Sequence, residues 1–179
     1  MFGECKDTAR RHVATLICVD ALARSAGAII QVGGDGACYR PDFDDILIPH
    51  RNRFNGTADQ ASAAYAGVLL HELIHWTGAP HRLNRDLSGR FGSAAYAMEE
   101  LIAELGCAFL CAELGFTSGP RADHARYIDG WLSALKRDHR AILLAASHAE
   151  TATKQVLGFH RRDHRTKKMR WLKGAEIAV

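Results

Sequence analysis

The segment HELIHWTGAPH, His71 to His81, gathers three histidines and a glutamate directly after the apolar run Tyr65 to Leu70. His71 and His75 are four residues apart, so on a helix both imidazoles project from one face about one turn apart, where two nitrogens can share one ion. Glu72 follows the first histidine. Its carboxylate then falls beside the ion rather than on it, which suits a general base acting on water activated there. Imidazole and carboxylate ligands that leave one position open are the donor set of a catalytic Zn2+. The plainer alternative, two surface histidines with a solvated glutamate, is disfavoured by the context: the motif sits on a predicted helix, and a second, carboxylate-rich helix follows.

Two candidates compete for the third protein ligand. HELIHWTGAPH satisfies HExxHxxGxxH at every fixed position, with Gly78 as a sharp turn that would return His81 to the metal. The rival is EELIAELGCAFL, in which Glu100, Glu104, Cys107 and Cys111 fall at i, i+4, i+7 and i+11 and form one helical stripe. Against the histidine helix, that stripe would bring Glu100 to the metal and leave Glu104 to orient a histidine from behind. Two carboxylates on a stripe of buried character need a cation or donors to offset their desolvation, whereas an exposed His81 needs no partner, so Glu100 is favoured. The methionine turn that a His81 site requires also lacks a residue, since Met98 falls inside a helix and Met169 in a basic segment. On the plainer reading Glu99 and Glu100 share a solvated face, and Glu99 is the neighbouring register.

The elements that must position these groups are legible in the pattern. Asp7 to Ala26 carries Val13, Leu16, Ile17 and Leu22 at helical spacing and stops at Gly27. AIIQV (Ala28 to Val32), ACYR after the GGDG turn, and DFDDILIP (Asp42 to Pro49) read as short strands, the last ending at a proline like a sheet edge. As an exposed edge, Asp45 to Pro49 would align an extended peptide. Helices are predicted over Ala61 to Trp76, Ala94 to Leu114 ending at Gly115, Ala122 to Arg137 and Ala141 to Leu157. A helix, a small mixed sheet and then helices make an α+β domain over residues 1–158, followed by a basic tail at 159–179.

The 179 residues, 47% hydrophobic, suffice for one core. No apolar run approaches the ~20 residues of a membrane span, and MFGECKDTARR lacks a secretory apolar segment, so no membrane role and a cytoplasmic location are expected. The five cysteines, without CxxC spacing, are read as buried packing rather than disulfides or ligands. His160 to Lys173 holds seven Lys/Arg against one Asp, a local +6, so the rest of the chain sums to −3. The tail reads as a solvated extension, or as a nucleic-acid contact with Trp171 available for stacking.

Five stretches, GGDGACYRPDFDDILIP, LLHELIHWTGAPHRLNRD, RFGSAAYAMEELIAELGCAFLCAELG, DHARYIDGWLSALKRD and AASHAETA, resemble the zincin-like metallopeptidase domain of ArdC-type antirestriction proteins of plasmids and phages. They cover about residues 20–155. The resemblance implies a zincin-like fold, metal binding by His71, His75 and Glu100, and Glu72 as the catalytic glutamate. It also favours Glu100 over His81, where such domains often carry another residue. The single-stranded-DNA-binding domain that precedes this unit in ArdC-type proteins has no counterpart in the roughly twenty residues before the matched region, so DNA binding is not carried over.

The expected activity is hydrolysis of a peptide or protein substrate, with His124 and Tyr127 of DHARYIDGW as candidate donors to the developing oxyanion. The alternative is a binding module that masks DNA or a protein and whose metal site is structural or vestigial.

Overall fold

Thr57 opens the helix on which the other elements are built. Its side chain accepts from the Gln60 backbone N–H at 3.3 Å, and the Gln60 side chain accepts from the Thr57 N–H at 2.8 Å, closing a reciprocal cap. In this computed structural model residues 18–115, 131 and 139–176 are described, with the side chains of the last helix described through residue 159. The helical elements are α1 (residues 18–26), α2 (Ala58–Thr77), α3 (Ala94–Leu114) and α4 (Ala141–Glu176). The strands are β1 (Ile29–Val32), β2 (Cys38–Arg40) and β3 (Asp45–Ile48). Residues 7–17 and most of 122–137, two of the expected helical stretches, lie outside the described residues.

The sheet runs β1-β3-β2, with β1 parallel and β2 antiparallel to β3. A small mixed sheet was expected, but β3 was expected at its edge and is its centre. Pro49 follows the last strand residue, so it removes no ladder hydrogen bond and carries no information about edges. Ile46 and Ile48 are fully buried, and Asp45 is opposite Arg40, whose Nε and Nη2 donate to its two oxygens at 2.7 and 2.6 Å. An extended peptide therefore has no free β3 edge to join. Among the described residues the open edges belong to β1 and β2.

From Leu69 to Ile74 every residue of α2 is buried, which is why its sequence is apolar around the whole circumference rather than along one stripe. β2 and β3 pack on one side of it and α3 on the other. The α2–α3 approach is set by small groups: Cys107 Sγ donates to the Gly67 carbonyl at 3.2 Å, and a Cβ on Gly106 would sit 2.8 Å from Ile74 Cδ1. α4 lays Ala145, Ala149, Ala152 and Val156, all fully buried, against α3. Its small side chains permit a close approach. Gly27 (φ 85°) and Gly115 (φ 74°) stop α1 and α3 in the left-handed region, as their positions predicted.

α4 does not end at Leu157 but continues to Glu176. Gly158 costs a helix only about 1 kcal/mol, and the Arg, Lys, Met and Leu residues beyond it are good helix formers. The basic segment thus has a helical backbone. No helix among the described residues is long and apolar enough to cross a membrane.

The Gly106 contact yields a stability test. Gly106→Ala gains about 1 kcal/mol of helix propensity but overpacks the Ile74 side chain, a cost of about 1–3 kcal/mol. Urea denaturation should show a net loss of stability, and Ile74→Val in the same chain should restore part of it.

Candidate metal centre

The last turns of α2 bring His71 and His75 together with their Nε2 atoms 3.1 Å apart and their rings nearly perpendicular. α3 supplies Glu100, whose Oε2 is 3.5 Å from His71 Nε2 and whose Oε1 is 3.6 Å from His75 Nε2. A tetrahedral site with bonds of about 2.1 Å has ligand–ligand edges of about 3.4 Å, close to all three separations. Among the described residues these three form a group with ligand atoms within 4.8 Å of one another.

What lies behind the imidazoles fixes what faces inward. His75 Nδ1 donates to Glu99 Oε1 at 3.0 Å, and His71 Nδ1 lies 3.0 Å from Glu104 Oε1. A carboxylate only accepts, so His75 Nδ1 carries a proton and Nε2 is the nitrogen left to ligate, whereas the His71–Glu104 contact is at ion-pair distance without hydrogen-bond geometry. The two Nε2 atoms and a carboxylate converge on one point. Glu100 Oε2 is buried there without a hydrogen-bond partner. Several carboxylates converge here on two imidazoles and call for positive charge, which a proton on His75 or a cation can supply, so these residues fit a divalent metal.

The protonation equilibria report the same demand for positive charge. Burial opposes a charged His75, yet the Glu100 and Glu99 carboxylates push it up to about 10. Burial likewise opposes ionised Glu100, but the two imidazoles hold it well below the usual carboxylate range. Glu99 is also lowered against burial, by Arg85 and His75.

Glu72 is buried beside this group, and its Oε2 accepts the Tyr39 backbone N–H of β2 at 2.8 Å. Both line an open cavity of about 290 Å3 that also reaches Cys38, Leu87, Tyr96 and Glu100.

His81 is not in the group. It is exposed and pairs with Asp44 at 3.2 Å and with Arg82. Gly78, expected to swing His81 inward, has an ordinary φ of −76°. Its lack of a side chain serves a different end, because a Cβ there would meet Arg85 Nη2 at 2.9 Å and Leu87 Cδ2 at 3.0 Å. Cys107 and Cys111 are buried packing 4.0 Å apart, as expected, whereas Cys18 and Cys38, also expected to be buried, are exposed. His124 and Tyr127 lie outside the described residues.

Three features of the site were not anticipated. Glu99 is buried and held by Arg85, whereas the sequence reading had named it only as the neighbouring register for the ligand or, on the plainer reading, as part of a solvated face. Two adjacent glutamates facing two histidines one turn apart were the available signal. Arg85 itself sits in a loop rich in helix breakers, where burial has no periodic signature. The Tyr39 N–H is a backbone group and leaves none.

A mixed sheet flanking an HExxH helix, with a glutamate on the next helix meeting both histidines, defines a zincin-like α+β domain. The chain belongs to the family whose model is described as zincin-like metallopeptidase, which it matches over residues 18–148. It is 52% identical over 131 residues to the uncharacterized protein y4eC of Sinorhizobium fredii, covering 73% of this chain and 41% of that one. It is 40% identical over 141 residues to the DNA primase TraC of Escherichia coli, covering 79% of this chain and 9% of the primase. The Mn(II)-bound crystal structure of the antirestriction ArdC protein from plasmid R388 superposes with a TM-score of 0.62 at 35% identity, over 79% of this chain and 51% of that one. Its metal-free form gives 0.67 at 35% identity, over 80% and 50%. The chain thus spans about half or less of each of these relatives.

With His75 protonated up to about pH 10 when no ion is present, a binding ion must displace that proton. Apparent affinity for a divalent ion should therefore rise with pH, about tenfold per unit below that value, with close to one proton released. Calorimetry between about pH 6 and 8, in buffers of different ionisation enthalpy, reads both quantities. A flat profile without proton release would place the ion elsewhere.

Proposed function

We propose that this domain is a Zn2+-dependent peptide hydrolase in which His71, His75 and Glu100 hold the ion and Glu72 is the general base. The observation that carries the reading is the convergence of two imidazole Nε2 atoms and a buried carboxylate, next to a second carboxylate, at the wall of an open cavity. When bound, the ion supplies Lewis-acid polarisation and lowers the pKa of water toward neutrality.

The protein groups do the rest. Tyr39 N–H holds one Glu72 oxygen in place, which leaves the other to take a proton from water and pass it to the leaving amine. β2 pairs only with β3 among the described residues, so its outer edge, where that N–H emerges, borders the cavity and can orient an extended substrate. His124 and Tyr127 are the proposed oxyanion donors from their sequence placement.

Glu72→Gln tests the reading. The variant should keep metal affinity and fold while losing at least about a hundredfold in cleavage of an unfolded protein substrate, the scale of a lost general base. Retained cleavage would remove Glu72 from the chemistry.

A second reading is a non-catalytic module that acts on nucleic acid or on a protein partner. It is favoured by the relatives named as an antirestriction protein and a DNA primase, and by the helical backbone under the basic segment 160–173. On that reading Glu72→Gln is without effect. Single-stranded DNA affinity should instead fall steeply with salt, and deleting residues 160–179 should flatten that dependence by several phosphate contacts. A salt slope unchanged by the deletion would dissociate the segment from DNA.

A further inference from the structure

The two histidines are backed by carboxylates of different kinds. Glu104 stands one helical turn from Glu100 on the same stripe of α3. Glu99 is off that stripe and is itself gripped from outside the helix. Arg85 Nε donates to Glu99 Oε2 at 2.9 Å and Arg85 Nη2 donates to Glu99 Oε1 at 2.8 Å, a two-pronged pair with both side chains over nine-tenths buried. The same guanidinium donates to the Ile74 carbonyl at 2.8 Å and to Thr77 Oγ1 at 2.9 Å, at the end of the helix that carries the histidines. Gly78 keeps open the space through which it passes.

We infer that Arg85 and Glu99 are positioning residues for the metal: Arg85 locks Glu99, and Glu99 locks His75 with its Nε2 lone pair aimed at the ion. The inference rests on the metal-binding reading above and not on hydrolysis.

The chemistry follows from what each group can donate. Glu99 has no proton to give, so a bond to His75 Nδ1 requires the proton to be on the ring and leaves Nε2 free to ligate. Glu99 Oε1 is shared between His75 and Arg85, and Oε2 is taken by Arg85, so the carboxylate has one orientation. Arg85 is anchored to the last turn of α2 and Glu99 to the first turns of α3. The pair therefore also ties the helix of the imidazoles to the helix of Glu100. Of the four carboxylates around the histidines, Glu72, Glu99, Glu100 and Glu104, the fixed charge of Arg85 balances one. A lysine in its place cannot supply the fork.

Glu99→Gln is the informative variant. A glutamine amide can present its NH2 to Nδ1 and stabilise the opposite tautomer, in which Nε2 carries the proton and cannot ligate. Zn2+ affinity, measured by competition with a chromophoric chelator on the full chain at a temperature where the metal-free variant is folded by circular dichroism, should fall about 10–100-fold, beyond the drop in thermal midpoint that loss of the buried ion pair brings. Glu99→Asp, which retains an acceptor-only group, should recover part of the loss. Bound Co2+ should report the altered imidazole geometry as a changed ligand-field spectrum in Glu99→Gln.

Arg85 acts through Glu99, so Arg85→Gln should weaken zinc in the parent but add little once Glu99 is glutamine. If Glu99→Gln binds zinc within about twofold of the parent, the inference fails while the metal site stands. Additive losses from Arg85 and Glu99 would overturn the coupling between them. A parent protein that takes up no divalent ion would overturn the metal reading and this inference together.

Discussion

The structure depends on one constraint: two imidazoles and a carboxylate must be held about 3–4 Å apart between two helices at the wall of an open cavity. Without an ion, a proton on His75 supplies the positive charge that the carboxylates around it demand. The remainder of the chain supplies the opposing rigidity. Apolar burial along α2 and α3 holds the backbones, and Glu99 and Glu104 hold the rings from behind. An ion that displaces the His75 proton then adds its binding free energy to the stability of the fold.

The division of labour among the carboxylates follows from position alone. Glu100 points between the histidines, Glu104 and Glu99 stand behind them, and Glu72 lies alongside. Four acidic side chains of the same chemical type, all within hydrogen-bonding or ion-pairing reach of two imidazoles or of β2, thereby take three roles. Two of the three arginines of the loop after α2 extend the scheme. Arg85 fixes Glu99, while Arg82 stacks 3.7 Å over Trp76 and reaches Asp44, which accepts the Tyr39 hydroxyl at 2.9 Å. Tyr39 is the residue whose N–H meets Glu72. The loop therefore braces the histidine side and the Glu72 side of one cleft.

The parts of this arrangement that repeat along a helix were readable in the chain. His71, His75 and the stripe from Glu100 to Cys111 have helical periods, and Gly27 and Gly115 stop helices by a purely local backbone property. What escaped was long-range or backbone-borne. The centrality of β3 depends on β1 and β2 choosing opposite sides of it, and a proline just past its end gave a misleading cue. Glu99 sits about 100° around the helix from Glu100, so only the arrival of Arg85, fourteen residues away, distinguishes a buried support from a solvated neighbour. Gly78 was credited with conformational freedom and turned out to provide room. Gly158 looked like a terminus, but residues that favour helix on both sides carry α4 through it.

The convergent imidazole and carboxylate atoms, the carboxylates behind them and the arginine that secures one of these all come from the 34 consecutive residues His71 to Glu104. A helical hairpin of this kind can assemble by closing the single loop 78–93, without waiting for distant chain to arrive. Such a cassette is local in sequence, and what it draws from the rest of this chain is a strand to cover the glutamate and a helix to roof the hairpin.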